Sequence, residues 1–262
     1  MTYLYNAVMT TAIQLLVILG PGLLFGLIMN FVSKIIERKA SGLLGIKLYL
    51  LLFGWLGTMV HESGHALFCL IFRHKINEIK FFSPDLNSGT LGYVNHSYNP
   101  KSIYQTIGNF FIGIGPIILG VLVIYLATYI LFGHLIELAP VQNINSDTPA
   151  AITEQMSFIF KQIFTWSNLS SWRFYIFIYI CFTVGGSINL SPADLHGASK
   201  GFFAIILSLL VFNLATSWLG NFDYKPIMNS NFFAMFYLIM IMSIIVNAII
   251  AIIIPPFLRI KY

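Results

Sequence analysis

Apolar runs too long for the core helices of a soluble domain alternate along this chain with short polar stretches. About 20 apolar residues cross a hydrocarbon core of ~30 Å, and on that measure six membrane spans are expected: residues 8–31, 43–72, 103–132, 172–188, 202–219 and 232–254. The first contains Gly20-Pro21-Gly22, which predicts a kink, and a charged connector from Lys34 to Lys39 separates it from the second. If helical throughout, the second span is roughly 45 Å long and has to tilt or protrude. After it the pattern changes. Residues 76–82 and 90–94 are short runs rich in aromatic and β-branched side chains, with Ser83-Pro84-Asp85-Leu86-Asn87-Ser88-Gly89 between them, and together they predict a β-hairpin. Residues 138–170 form the longest polar stretch and read as an extramembrane loop with an interfacial helix.

The expected fold class is therefore an all-α polytopic membrane protein with one small hairpin, a single transmembrane domain over residues 1–262. Composition agrees: 58% of residues are hydrophobic and 9% charged, where soluble domains carry about 25% charged residues. The net charge of +5 is spread over the ends of spans, which suits lipid headgroups and excludes a nucleic-acid surface. The N-terminal run lacks a basic leader and reads as a retained span. Cys69 and Cys181 both lie in apolar stretches, so a structural disulfide is not expected.

The chemistry concentrates in one motif, His61-Glu62-Ser63-Gly64-His65. On a helix, residues four apart lie about 40° apart in azimuth, so both imidazoles face one way and can grip one zinc ion. Glu62 lies about 100° from His61, placed to take a proton from an attacking water without being a ligand. For this composition the pattern H-[DE]-x-x-H is expected by chance roughly 0.005 times. It also lies deep inside an apolar run, where ionisable groups without a function are costly. Gly54 and Thr58 share its face and are small enough to let another helix approach.

A zinc site needs a third protein ligand. Asp194 is the first candidate and His196 the second, whereas Asp85, Asp147 and Asp223 read as loop residues. Asp194 has an alternative reading: Ser191-Pro192-Ala193-Asp194 fits a helix start with Ser as N-cap, Pro at N1 and an acid at N3. The two readings stand as alternatives at this point. Gly185 and Gly186 upstream predict loosened backbone around the site.

A transmembrane H-E-x-x-H, a hairpin, a Gly-Pro span and then an Asp after an Asn and a Pro resemble the site-2 protease group of intramembrane zinc metalloproteases. The resemblance covers the order of elements over residues 43–219, and the zinc motif is its specific part. Asn189, Pro192, Asp194 and Gly197 stand in a shortened form of the family's Asp motif, without its Leu-Asp-Gly triplet. Gly115-Pro116 matches the family's Gly-Pro signature, with Leu119 where an Asn would follow. The resemblance implies Zn2+ held by His61, His65 and Asp194, and Glu62 as general base. It further implies an endopeptidase that cuts transmembrane or membrane-adjacent segments of a membrane protein or peptide. A non-catalytic zinc-binding scaffold or chaperone-like relative is the alternative, and a metal carrier is a third class. Positive charges divide seven against seven between the two sides and leave orientation open; the resemblance puts the metal end and hairpin towards the cytosol.

Overall fold

In the computed structural model, the described residues are 2–85, 90–133, 148–189, 191–216 and 231–255. They form a helical bundle with one two-stranded antiparallel sheet. Four helices are long and apolar enough to cross a membrane: α1 (Thr2–Leu44), α4 (Ile103–Phe132), α8 (Pro192–Thr216) and α9 (Asn231–Ile253). These are the helices that qualify among the described residues, which do not show six full-length spans. α3 (Trp55–Ile71) and α7 (Trp172–Ser187), both read as spans from sequence, have 17 and 16 residues, lengths of about 26 and 24 Å at 1.5 Å per residue.

The expected connector between the first two spans is absent. α1 runs on through Pro21, and Lys34 to Lys39 is helical rather than a connector. A proline removes one backbone donor and need not end a helix that packing supports. Lys39 has a tertiary task instead: its Nζ donates to the carbonyls of Ala251 and Ile254, at 2.8 and 3.1 Å, and caps the end of α9. The chain turns at Gly45, whose φ of 79° is a conformation that disfavours a side chain. It continues through the short α2 (Ile46–Tyr49) and a π-helical turn, Leu50–Gly54, into α3.

α4 is the centre of the bundle. Ile117, Val121 and Ile124 pack with Phe177, Cys181 and Val184 of α7 and with Leu238, Met242 and Val246 of α9 in the main apolar core. Both cysteines are buried and free. α3 meets α4 where Gly64 faces Gly115; a Cβ on Gly64 would lie 2.7 Å from the Gly115 backbone. On the other flank of α3, Gly57 lies against the Thr183 carbonyl of α7 with no room for a Cβ. Gly54, expected to admit a neighbouring helix, meets only its own helix at Leu50. Gly185 and Gly186 likewise sit inside α7, where Gly185 packs on Ser243 of α9, and do not loosen the backbone.

α5 (Thr148–Ile163) and the short α6 (Trp166–Leu169) occupy the second half of the expected polar loop; residues 138–147 lie outside the described ones. α8 begins at Pro192, well before the expected residue 202, because Ser191 and Pro192 start it with polar residues in its first turns.

The hairpin is present, shifted from its expected limits to β1 (Lys75–Lys80) and β2 (Tyr93–Ser97), with a bulge between Ile76 and Glu78. α3 hands the chain to it through a Schellman-type ending. His74 N–H donates to Cys69 O, Arg73 N–H to Leu70 O, and Arg73 takes a φ of 57°. His74 then fixes the hairpin to α4: its Nε2–H donates to Gln105 O at 2.8 Å, which leaves its Nδ1 to accept from His96 Nδ1–H at 3.0 Å.

Burial and the neighbouring His74 push His96 down to about 4, and burial also lowers His74. The sign follows: above about 6.5 both states are neutral and the pair contributes fully. As pH falls from there towards 4 the unfolded chain takes up the His96 proton and the folded chain does not, so stability is lost in that window. The thermal midpoint of wild type should therefore approach that of His96→Gln between pH 7.5 and 4.5. A gap between the two proteins that does not change with pH would overturn this account.

Candidate metal centre

His61 and His65 lie one turn apart on α3, and the start of α8 brings Asp194 to them. The two imidazole Nε2 atoms are 3.2 Å apart. Asp194 Oδ1 is 3.1 Å from His65 Nε2, and Oδ2 is 3.7 Å from His61 Nε2. Among the described residues this is the one group of three ligand side chains close enough to hold a single cation. His65 is buried and Asp194 half-buried.

Each imidazole is oriented by a backbone carbonyl, and both carbonyls are made available by an irregularity in a helix. His65 Nδ1–H donates to Ile112 O at 2.8 Å. Within α4 that oxygen would normally accept from residue 116, but residue 116 is proline and has no N–H. His61 Nδ1–H donates to Ser187 O at 2.9 Å, on the last residue of α7; this carbonyl has no helical partner and also accepts from Asn189 N–H at 2.8 Å. With both protons fixed on Nδ1, both Nε2 atoms present lone pairs. Two lone pairs and a carboxylate then face one point, an arrangement that repels itself unless a proton or metal ion lies between them.

Asp194 does not choose between its two expected roles. Ser191 N–H donates to Asp194 Oδ2 at 2.8 Å, and Asp194 N–H donates to Ser191 Oγ at 3.1 Å, a reciprocal capping box at the start of α8. The same carboxylate turns Oδ1 to His65. A carboxylate has about four lone-pair sites, so cap and ligand are compatible. His196, the second candidate, is exposed on α8 and stands outside the cluster. Asp85 is exposed and bridges to Thr90, while Asp147 and Asp223 lie outside the described residues.

Glu62 is buried and lines the same cavity of about 670 Å³ as the three ligand residues. The hairpin covers it: a Cβ on Gly92 would come within 2.9 Å of Glu62 Cγ and 2.7 Å of Lys80 O, so only glycine allows the strand to cross there. β2, with Tyr93, Val94 and His96, lines the cavity, and β1 does not. Sequence reasoning missed the orienting carbonyls of Ile112 and Ser187. Pro116 was the available signal for the first.

No protein-family model, no curated protein and no solved structure matches this chain.

Pro116→Ala restores the N–H that competes with His65 for Ile112 O. The affinity of the cluster for a divalent metal should fall about 10–100-fold, the usual cost of losing an orienting partner, read by competition with a chelator. Unchanged affinity would show that the proline gap does not orient His65.

Proposed function

We propose that this chain is a multi-pass integral protein of the cell membrane and an intramembrane zinc endopeptidase. On this reading α3 and α7 complete six membrane segments with the four longer helices, the partner is a membrane protein or peptide substrate, and the chain is a divergent relative of the site-2 proteases. The observation that carries the proposal is the convergence of His61 Nε2, His65 Nε2 and an Asp194 oxygen within 4.8 Å, in one cavity with Glu62. Zinc bonded at 2.0–2.1 Å in a tetrahedron sets its ligand atoms roughly 3.3 Å apart, close to the 3.2 Å between the two Nε2 atoms and the 3.1 Å from His65 Nε2 to Asp194 Oδ1.

The zinc would supply Lewis acidity, acidifying the attacking water and polarising the scissile carbonyl. The rest is work for the chain. Glu62, one residue from His61 and turned about 100° away from it, takes the proton of the water and delivers it to the leaving amine. Asp194 keeps a negative charge beside the two histidines while its other contacts hold it to the start of α8. A substrate helix protects its own amides and has to be unwound before attack. The free edge of β2, on the cavity side, can hold the unwound segment as an added strand. The bundle around it excludes lipid, so irregular backbone is tolerated at that depth.

Purified wild type should carry about one zinc per chain, lost in His61→Ala and in His65→Ala. Asp194→Asn keeps an acceptor for the α8 cap but drops the charge, so zinc should weaken while the fold survives. Glu62→Gln should retain zinc and lose cleavage of a reconstituted transmembrane substrate by about 10²-fold or more. Zinc content equal in wild type and both histidine variants would sink the proposal. Zinc retained with no cleavage by wild type would point to the non-catalytic scaffold.

A further inference from the structure

Asn247 on α9 is fully buried, and one end of its side chain has no protein partner. Its Nδ2 donates to Cys181 O of α7 at 3.2 Å and to Ser243 O of its own helix at 2.9 Å. Two carbonyls on that side fix the amide, because a flipped group would set oxygen against oxygen. Oδ1 therefore points the other way, and among the described residues no donor reaches it. That side belongs to the cavity, which Asn247 and Gly186 both line together with the metal cluster. The oxygen is itself buried and lies on the Gly186 side, where an added Cβ would stand 3.3 Å from it. The next residue, Ser187, provides the carbonyl that orients His61.

A buried acceptor without a donor costs free energy unless a ligand or water satisfies it. Phe53, Tyr49 and Glu37 also line the cavity, so it is larger than the metal cluster and Glu62 alone would need. What has to occupy such a space in a peptidase is unwound peptide, whose backbone N–H groups have lost their helical partners. We propose that Asn247 Oδ1 accepts a backbone N–H of the bound peptide and fixes its register against the metal cluster. This rests on the peptidase reading and deepens it. Leu119 stands where the resembled family carries an Asn, and in this chain the polar anchor comes from a different helix.

The test uses a short peptide hydroxamate, anchored by its hydroxamate at the metal, in versions N-methylated at one amide at a time. Binding to zinc-loaded full-length protein in detergent is measured by calorimetry, with acetohydroxamate as a metal-only control. In wild type, methylation at one amide should weaken binding about tenfold or more. In Asn247→Leu that same methylation should cost nothing, with acetohydroxamate affinity and zinc content unchanged. Gly186→Ala, a change that favours helix and crowds the oxygen, should reduce the same sensitivity and covers the case in which Asn247→Leu fails to fold. If every methylated peptide loses equally in wild type and in the variants, Oδ1 holds no peptide amide and the inference is overturned. Loss of acetohydroxamate binding and of zinc in wild type would instead remove the peptidase reading beneath it.

Discussion

Three acceptors are forced to face one another in a buried place, and the rest of the structure follows from holding them there. Two imidazole nitrogens 3.2 Å apart, with a carboxylate oxygen 3.1 Å from one of them, would separate in water. Here they cannot. Ile112 O and Ser187 O each hold one ring by its Nδ1–H, and Ser191 holds the carboxylate. Repulsion between fixed acceptors is stored as affinity for a cation, and a low-dielectric surrounding strengthens it. The bundle thus fixes the orientation of all three groups, which is what the proposed metal site requires of it.

Fixing these groups requires α4 and α7 to approach α3 closely, with α8 packed in turn on α4, and glycine makes this possible. Gly64 lets the backbone of α4 come near enough for Ile112 O to reach His65; Gly57 does the same for α7 and Ser187. A side chain at either place would move a carbonyl away from its imidazole by more than a hydrogen bond tolerates. The irregular points of the fold also gather at this depth: the proline gap in α4, the end of α7 and the start of α8. Each would expose a polar backbone group in a lipid-facing position. Facing one another across a cavity, they supply the hydrogen bonds that the site uses.

Much of this was legible in the sequence, for identifiable reasons. The four-residue spacing of His61 and His65 is a geometric statement about a helix. The hairpin was announced by two short runs around Ser83-Pro84-Asp85. Its strands moved by a few residues because pairing register depends on the Ile76–Glu78 bulge, which no local pattern encodes. The extent of α1 was missed because Lys34 to Lys39 looks like a connector until Lys39 is seen capping α9. Gly54 was picked for close packing where Gly57 and Gly64 do it, since periodicity names a face but not its neighbour. Arg73 at positive φ carried no signal, because a Schellman ending usually shows a glycine there.

Asp194 shows why the sequence offered a choice that the molecule does not make. A capping box needs one carboxylate oxygen near the Ser191 N–H, and a metal site needs one near the histidines. Oδ2 accepts from Ser191 N–H while lying 3.7 Å from His61 Nε2, and Oδ1 lies 3.1 Å from His65 Nε2, so one carboxylate meets both demands. The consequence is a physical coupling between the first turn of α8 and the charge at the cluster. The cap limits the rotation of the carboxylate, so the ligand oxygen is positioned by the same bonds that start the helix. Any movement of α8 relative to α4 would have to shift Asp194, because Gly113 of α4 lies directly against the Asp194 carbonyl and Ala198.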